Sequence, residues 1–239
     1  MKKIVFYMFT ILSVLNIVCS NAQCMETSRI KEVLLSQNPS QIEEMLLSGI
    51  DVNSYDENGN TLLFYTLINN ENLEIAKALI ENGADVNLPS TNGMTPLVLT
   101  VSLAQEIEKM QQHNKDSGIN DYMQQAKMAE QSQYQIEHMQ KIMELLLENG
   151  ADVNQETPYG TPLMVASTSE LNTKMIELLL SAGANVNQQD QNGRTALFYA
   201  NAYGTDNIIT MLLKAGASIH ILDNNKQSYM EMDENSFSK

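Results

Sequence analysis

The heptapeptide ENGADVN at positions 81–87 decides how the chain is read, because the chain keeps rewriting it. It returns unchanged at 148–154, as AGANVN at 182–187, and more loosely as SGIDVN at 48–53 and AGASIH at 215–220. The glycines of these copies are Gly49, Gly83, Gly150, Gly183 and Gly216, spaced by 34, 67, 33 and 33 residues. A recurring period of about 33 residues signals a stack of equivalent supersecondary units, each burying its apolar face against the next.

Eleven or twelve residues after each of the first four glycines stands a threonine that leads an apolar group. These threonines are Thr61, Thr95, Thr161 and Thr195, opening TLLFY, TPLVL, TPLMV and TALFY. The turn sequences DENGN, STNGM, TPYG and DQNGR precede them. Segments with helical apolar spacing follow, such as LEIAKALI at 73–80 and KMIELLL at 174–180. The glycine is expected to end the second helix in a left-handed conformation. The Ala and Val after it (Ala84, Val86, Ala151, Val153) are expected to bury between repeats. Asn58-Gly59, Asn92-Gly93 and Asn192-Gly193 suit tight hairpin tips. The four threonines can cap the first helix, with Pro96 and Pro162 in its first turn.

These residues, G-A-D-V-N, then N-G-x-T-P-L, then E-L-L-L, closely resemble the ankyrin repeat from about Lys31 to Ile221. The resemblance implies an all-α repeat solenoid of about five helix-turn-helix units with β-hairpin tips. Where the family commonly carries His after T-P-L, this chain has Phe64, Val98, Met164 and Phe198, so packing is expected to replace a hydrogen bond. The ends depart from the pattern, as caps of a solenoid do.

One interval is too long. Thr61 to Gly83 and Thr161 to Gly183 each span 22 residues, whereas Thr95 to Gly150 spans 55. The surplus lies at about 103–135, free of Pro and rich in Gln, Met, Ala and Glu. Leu103, Ile107 and Met110 on one arm and Ile136, Met139 and Met143 on the other keep helical spacing. The favoured reading is a helical hairpin inserted in the third unit with its tip near Gly118. A decayed extra repeat is the competing one.

The N-terminal segment reads differently. Lys2 and Lys3 precede an apolar run from Ile4 to Val18, and Ser20 and Ala22 occupy cleavage positions. The expectation is a signal peptide at 1–22, a solenoid at 23–222, and a cap with a polar tail at 223–239. Export to a periplasm or secretion follows, in a bacterial style of sequence. A lipid anchor on Cys24 is disfavoured because Gln23, not a small residue, precedes it, and no stable membrane span is expected after cleavage. Loss of 1–22 leaves one cysteine, so no internal disulfide can form.

The formal charge of −15 argues against nucleic acid as a partner, since phosphate binding requires a basic surface. With 3 His, 2 Cys and no nucleophile or phosphate-loop motif, no enzyme and no cofactor are expected. Met110, Met123, Met128, Met139 and Met143 with His113 and His138 could offer soft ligands, but they fit a flexible helical seam better. What remains is binding of a protein partner, not identifiable from the sequence. By the resemblance, contacts fall on the tips and first helices, at Tyr55, Glu57, Asn58, Asn60, Asn69, Asn92, Met94, Tyr159, Gln191, Asn192, Arg194 and Tyr203. The tyrosines and Arg194 are the preferred anchors. The alternative is a structural or protective periplasmic factor whose helical insert carries the binding.

Overall fold

A computed structural model describes residue 44 and residues 50–56, 58–68, 73–116, 122–170, 173–203 and 205–231. The cleavage site, Cys24, the tip at Gly118 and the last eight residues lie outside the described residues. The chain divides into two compact bodies, Met1–Gly93 and Met94–Lys239. Among the described residues the regular elements are all helical.

In the first body, α1 (Leu62–Ile68) and α2 (Leu73–Glu81) form one antiparallel pair. The apolar residues of α1 fall on several sides, and Leu62, Leu63, Phe64 and Leu67 are all buried, whereas α2 is amphipathic and buries Ile75, Ala76 and Leu79. In the second body, α3 (Pro96–Asp116) pairs with α4 (Tyr122–Glu148), α5 (Pro162–Ala166) with α6 (Thr173–Ser181), and α7 (Ala196–Ala202) with α8 (Asp206–Lys214). A short 3-10 turn, Tyr229–Glu231, packs on α7. Helices α3 and α4 have 21 and 27 residues, where the other helices have 5 to 9. Their seam is closed by Ala104, Ile107, Met139, Ile142, Met143 and Leu146, all buried. Met139 and Met143 are therefore core residues, while Met110 is 37% exposed. Among the described residues no group of His, Cys, Asp or Glu could hold a metal ion, and no helix is long and apolar enough to cross a membrane.

The last five letters of the repeated heptapeptide, G-A-D-V-N, each have a physical cause. The second helix closes with its glycine at positive φ, +91° at Gly83, +84° at Gly150, +90° at Gly183 and +92° at Gly216. The amide of the next alanine then reaches back over the last turn, from Ala84 to Leu79 O, Ala151 to Leu146 O, Ala184 to Leu179 O and Ala217 to Leu212 O, each at 2.9 Å. These bonds satisfy carbonyls that a helix end otherwise leaves open. The aspartate accepts the amide of the asparagine two residues on, as Asp51 does from Asn53 and Asp152 from Asn154, both at 2.9 Å. Val52, Val86, Val153 and Val186 are buried.

The asparagine binds the next repeat. Asn53 Nδ2 donates to Gly83 O at 3.0 Å and its Oδ1 accepts from Asp85 N at 2.8 Å. In the second body Asn154 does the same to Gly183 and Asn185, and Asn187 to Gly216 and Ser218. This clamp was not foreseen from the sequence, where the heptapeptide explained only helix ending and burial.

Two expectations are corrected. The tips are turns without strands, apart from isolated bridges between Thr157 and Gly160 and between Leu222 and Ser228. A two-residue hairpin turn needs positive φ at both Asn and Gly. Here only the glycines have it, Gly59 at +74°, Gly93 at +83° and Gly193 at +77°, and Lys226 is the one non-glycine residue with positive φ among the described residues. The second correction concerns the caps. Thr61, Thr95 and Thr161 accept the amides of Phe64, Val98 and Met164 at 3.2 to 3.3 Å, but Thr195 makes no such bond. Phe64, Val98, Met164 and Phe198 are all buried, in keeping with packing at the family's usual histidine position.

Candidate functional site

Three of the tips are each built around one aspartate. Asp56 Oδ1 accepts the amides of Asn58 and Asn60 at 2.8 and 2.9 Å, and the backbone closes with Asp56 N to Asn60 O at 2.8 Å. Asp190 Oδ1 takes Asn192 N and Arg194 N at 2.9 and 2.8 Å, and Asp223 Oδ1 takes Asn225 N and Gln227 N at 2.9 Å each. A carboxylate short enough to fold back on its own turn is what this needs. The tip of TPYG lacks an aspartate and uses Thr157 instead, whose hydroxyl accepts from Tyr159 N at 3.1 Å and donates to Gly160 O at 2.8 Å.

Consecutive tips also bond to one another within each body. Thr91 N donates to Gly59 O at 2.8 Å, and Asn224 N to Asn192 O at 2.8 Å. Asn224 Nδ2 adds a bond to Gln191 O at 2.9 Å. The segment at 223–228 thus repeats the geometry of the earlier tips, and the buried Tyr229 with its 3-10 turn stands where a first helix would start. Asn201 Nδ2 holds that turn through Tyr229 O at 2.8 Å.

On this frame the residues expected to bind are placed unequally. In the first body Asn92 is exposed, Asn58 and Asn60 are half-buried, and Tyr55 is 37% exposed with its hydroxyl donating to Pro89 O at 2.9 Å. Glu57 and Asn69 lie outside the described residues. In the second body Gln191 and Asn192 are exposed, Met94 is half-buried, and Tyr159 and Tyr203 are 45% and 47% exposed.

Arg194 departs from expectation. It is buried, with Nε 3.8 Å from Asp223 Oδ2, in a pair whose carboxylate is almost fully covered. The turn beyond it has folded over the guanidinium, so Arg194 ties two tips together and does not face solvent. Asp190 Oδ2 meanwhile accepts from Tyr199 Oη at 2.8 Å. Burial and this carboxylate push the Tyr199 phenol well above its ordinary range.

The sequence reading passed over a polar group on α3. Gln105 Nε2 donates to Val165 O at 2.6 Å and to Thr168 Oγ1 at 3.0 Å, and Glu108, one turn on, is 4% exposed. Burial pushes the Glu108 carboxyl up to about 7, against a smaller opposing effect of a hydrogen bond with Ser169. A signal was there to find, since Glu108 falls on the same helical stripe as Val101 and Ala104, both buried.

Residues 33–111 and 133–223 match the family model described as "Ankyrin repeats (3 copies)". An ankyrin repeat protein of Acanthamoeba polyphaga mimivirus is 24% identical over 154 residues, which is 61% of this chain. The chain spans 23% of the length of that relative.

Proposed function

The chain belongs to the ankyrin-repeat family, and from that premise we propose that it is a non-enzymatic scaffold that binds a protein through its tips and first-helix face. Ankyrin repeats are generally protein–protein interaction modules. The observation that carries the reading to particular residues is the exposure, nearly half in each case, of Tyr159 on a tip whose backbone is locked by Thr157 and of Tyr203 at the C-terminal cap of α7, where its amide bonds back to Tyr199 O. A rigid aromatic side chain on a fixed backbone loses little entropy on binding. Gln191 and Asn192 extend the proposed surface within the second body, and in the first body Tyr55 and Asn92 are candidate contacts of their own. Arg194 is left out of it because it is buried.

A second reading assigns the contact to the long helix pair. It is favoured by the lengths of α3 and α4, by the absence of residues 112–132 from the family match, and by Tyr134, which is 68% exposed. In this reading residues 103–135 form a helical hairpin inserted in the third of about five repeats, presented by the stack. Export, with a mature chain starting at Gln23, belongs to both readings, and a different N-terminus in mass spectra of the protein from its source would remove it.

Affinity purification from the native source separates the two. A folded Tyr159→Ala/Tyr203→Ala variant should lose the enriched partner if the tips bind. A variant joining Ala104 to Gln135 by a short linker should lose it if the insert binds. Equal recovery by both variants would overturn both assignments.

A further inference from the structure

Glu108 is the most unusual group in the second body. Its carboxyl is buried between α3 and the turn at 167–169, and Oε2 has no hydrogen-bond partner. One turn back on the same helix face, Gln105 Nε2 is already committed to Val165 O and Thr168 Oγ1. Ser169 supplies one hydrogen bond to the carboxyl. The turn is itself anchored from the following repeat, because Thr205 Oγ1 donates to Ser167 O at 3.1 Å.

Among the described residues no cation compensates the site. On α3 the flanking charges Glu106 and Lys109 are exposed and paired with each other at 3.0 Å. Glu170 beyond the turn is exposed, and α5 carries no charge. On α4 the described acids and lysines all point to solvent, and the titratable group that is part-covered is His138. Burial and Lys141 hold that imidazole below its ordinary range, so it stays neutral where Glu108 would ionise. An ionised carboxylate with one donor and no counter-charge is unfavourable in such a place, whereas the protonated acid is not.

We propose that Glu108 is a proton-operated latch, seating the second half of α3 against the 167–169 turn when protonated and releasing it when ionised. The latch does not depend on which surface binds a partner. Its consequence is that α3 beyond Gln105 is fastened to the next repeat on the acid side of neutrality and loosened on the alkaline side.

The test uses the full chain. Carbon NMR of the Glu108 side-chain carboxyl should give a midpoint near 7. Amide protection at Ser167 and Thr168, corrected for intrinsic exchange, should fall about tenfold between pH 6 and pH 8. Opening releases a proton only while the closed form holds it, so the loss is about tenfold per pH unit below the midpoint and levels off above it. Glu108→Gln keeps the shape of the protonated acid and should hold protection constant across that range. Ser169→Ala removes the bond that favours the ionised form, so it should move the midpoint upward. A carboxyl titrating near 4.5, or a Gln variant that loses protection as the wild type does, overturns the latch. Should the Gln variant not fold, the wild-type carboxyl and amide midpoints decide alone, and their disagreement overturns it too.

Discussion

The side-chain amide of Asn154 donates to the carbonyl of Gly183, 29 residues ahead, at 3.3 Å, while its oxygen accepts from Asn185 N at 2.7 Å. One planar group thereby satisfies an acceptor and a donor left open at the end of the next repeat's second helix. Asn187 does the same for Gly216 and Ser218 at 3.1 and 2.7 Å.

Asn154→Ala and Asn187→Ala should each cost about 1 kcal/mol, the net worth of such bonds where water can replace part of them. Asn187→Asp should be no better than Ala, because the carboxylate keeps the acceptor but faces the Gly216 carbonyl without a donor. Urea denaturation measures all three. A wild-type midpoint for the Asp variant would show that the donor half contributes nothing.

Gly59 and Gly183 both have positive φ, yet they should respond differently to Ala. A Cβ at Gly183 meets nothing within 4 Å, so only the left-handed backbone costs, about 1 kcal/mol. A Cβ at Gly59 would stand 1.8 Å from Thr91 Oγ1 and 2.7 Å from Thr91 Cβ. Gly59→Ala should therefore lose about 2 kcal/mol or more as the Thr91 tip is forced away. Equal losses would mean that the two tips are not in contact in solution.

Lys226 occupies the place that Gly59 and Gly193 hold in earlier tips, at φ +64°. Lys226→Gly should stabilise the chain by roughly 0.5–1 kcal/mol, by relieving a left-handed conformation at a residue with a Cβ. Thermal unfolding should show a higher midpoint. A lowered one would mean that the gain in unfolded-chain entropy outweighs the relief.

Tyr199 makes the stability pH-dependent at the alkaline end. Its phenol is held above the ordinary value by burial and by Asp190, so the folded chain keeps a proton that the unfolded chain gives up. That contribution is complete below about pH 10 and declines as pH rises past it. Tyr199→Phe should flatten the alkaline limb while costing about 1 kcal/mol at neutral pH, through loss of the bond to Asp190 Oδ2. Melting midpoints across pH 9 to 11 for the two proteins check both parts.

Much of the repeat could be read from its letters because the residues that set it act locally. Gly83, Gly150, Gly183 and Gly216 end helices by their own backbone preference, and Thr61, Thr95 and Thr161 cap the helix that follows them. What was missed depends on neighbours about 30 residues away. Asn154 spells the same in a loop as in a clamp. Arg194 illustrates the point for the site. Its solitary charge suggested an exposed anchor, and only the fold of 223–228 over it makes it an internal tie.

The clamp by Asn53, Asn154 and Asn187 touches the receiving repeat solely at main-chain atoms, a carbonyl oxygen and an amide. It therefore does not inspect which side chains the neighbour carries, only that a left-handed glycine and the amide two residues on are in place. A junction of that kind is indifferent to pedigree. Duplication, loss or exchange of a whole segment leaves the seam intact, provided the cut falls at the same phase of the period. Array length can then drift during descent while the surface side chains diverge independently.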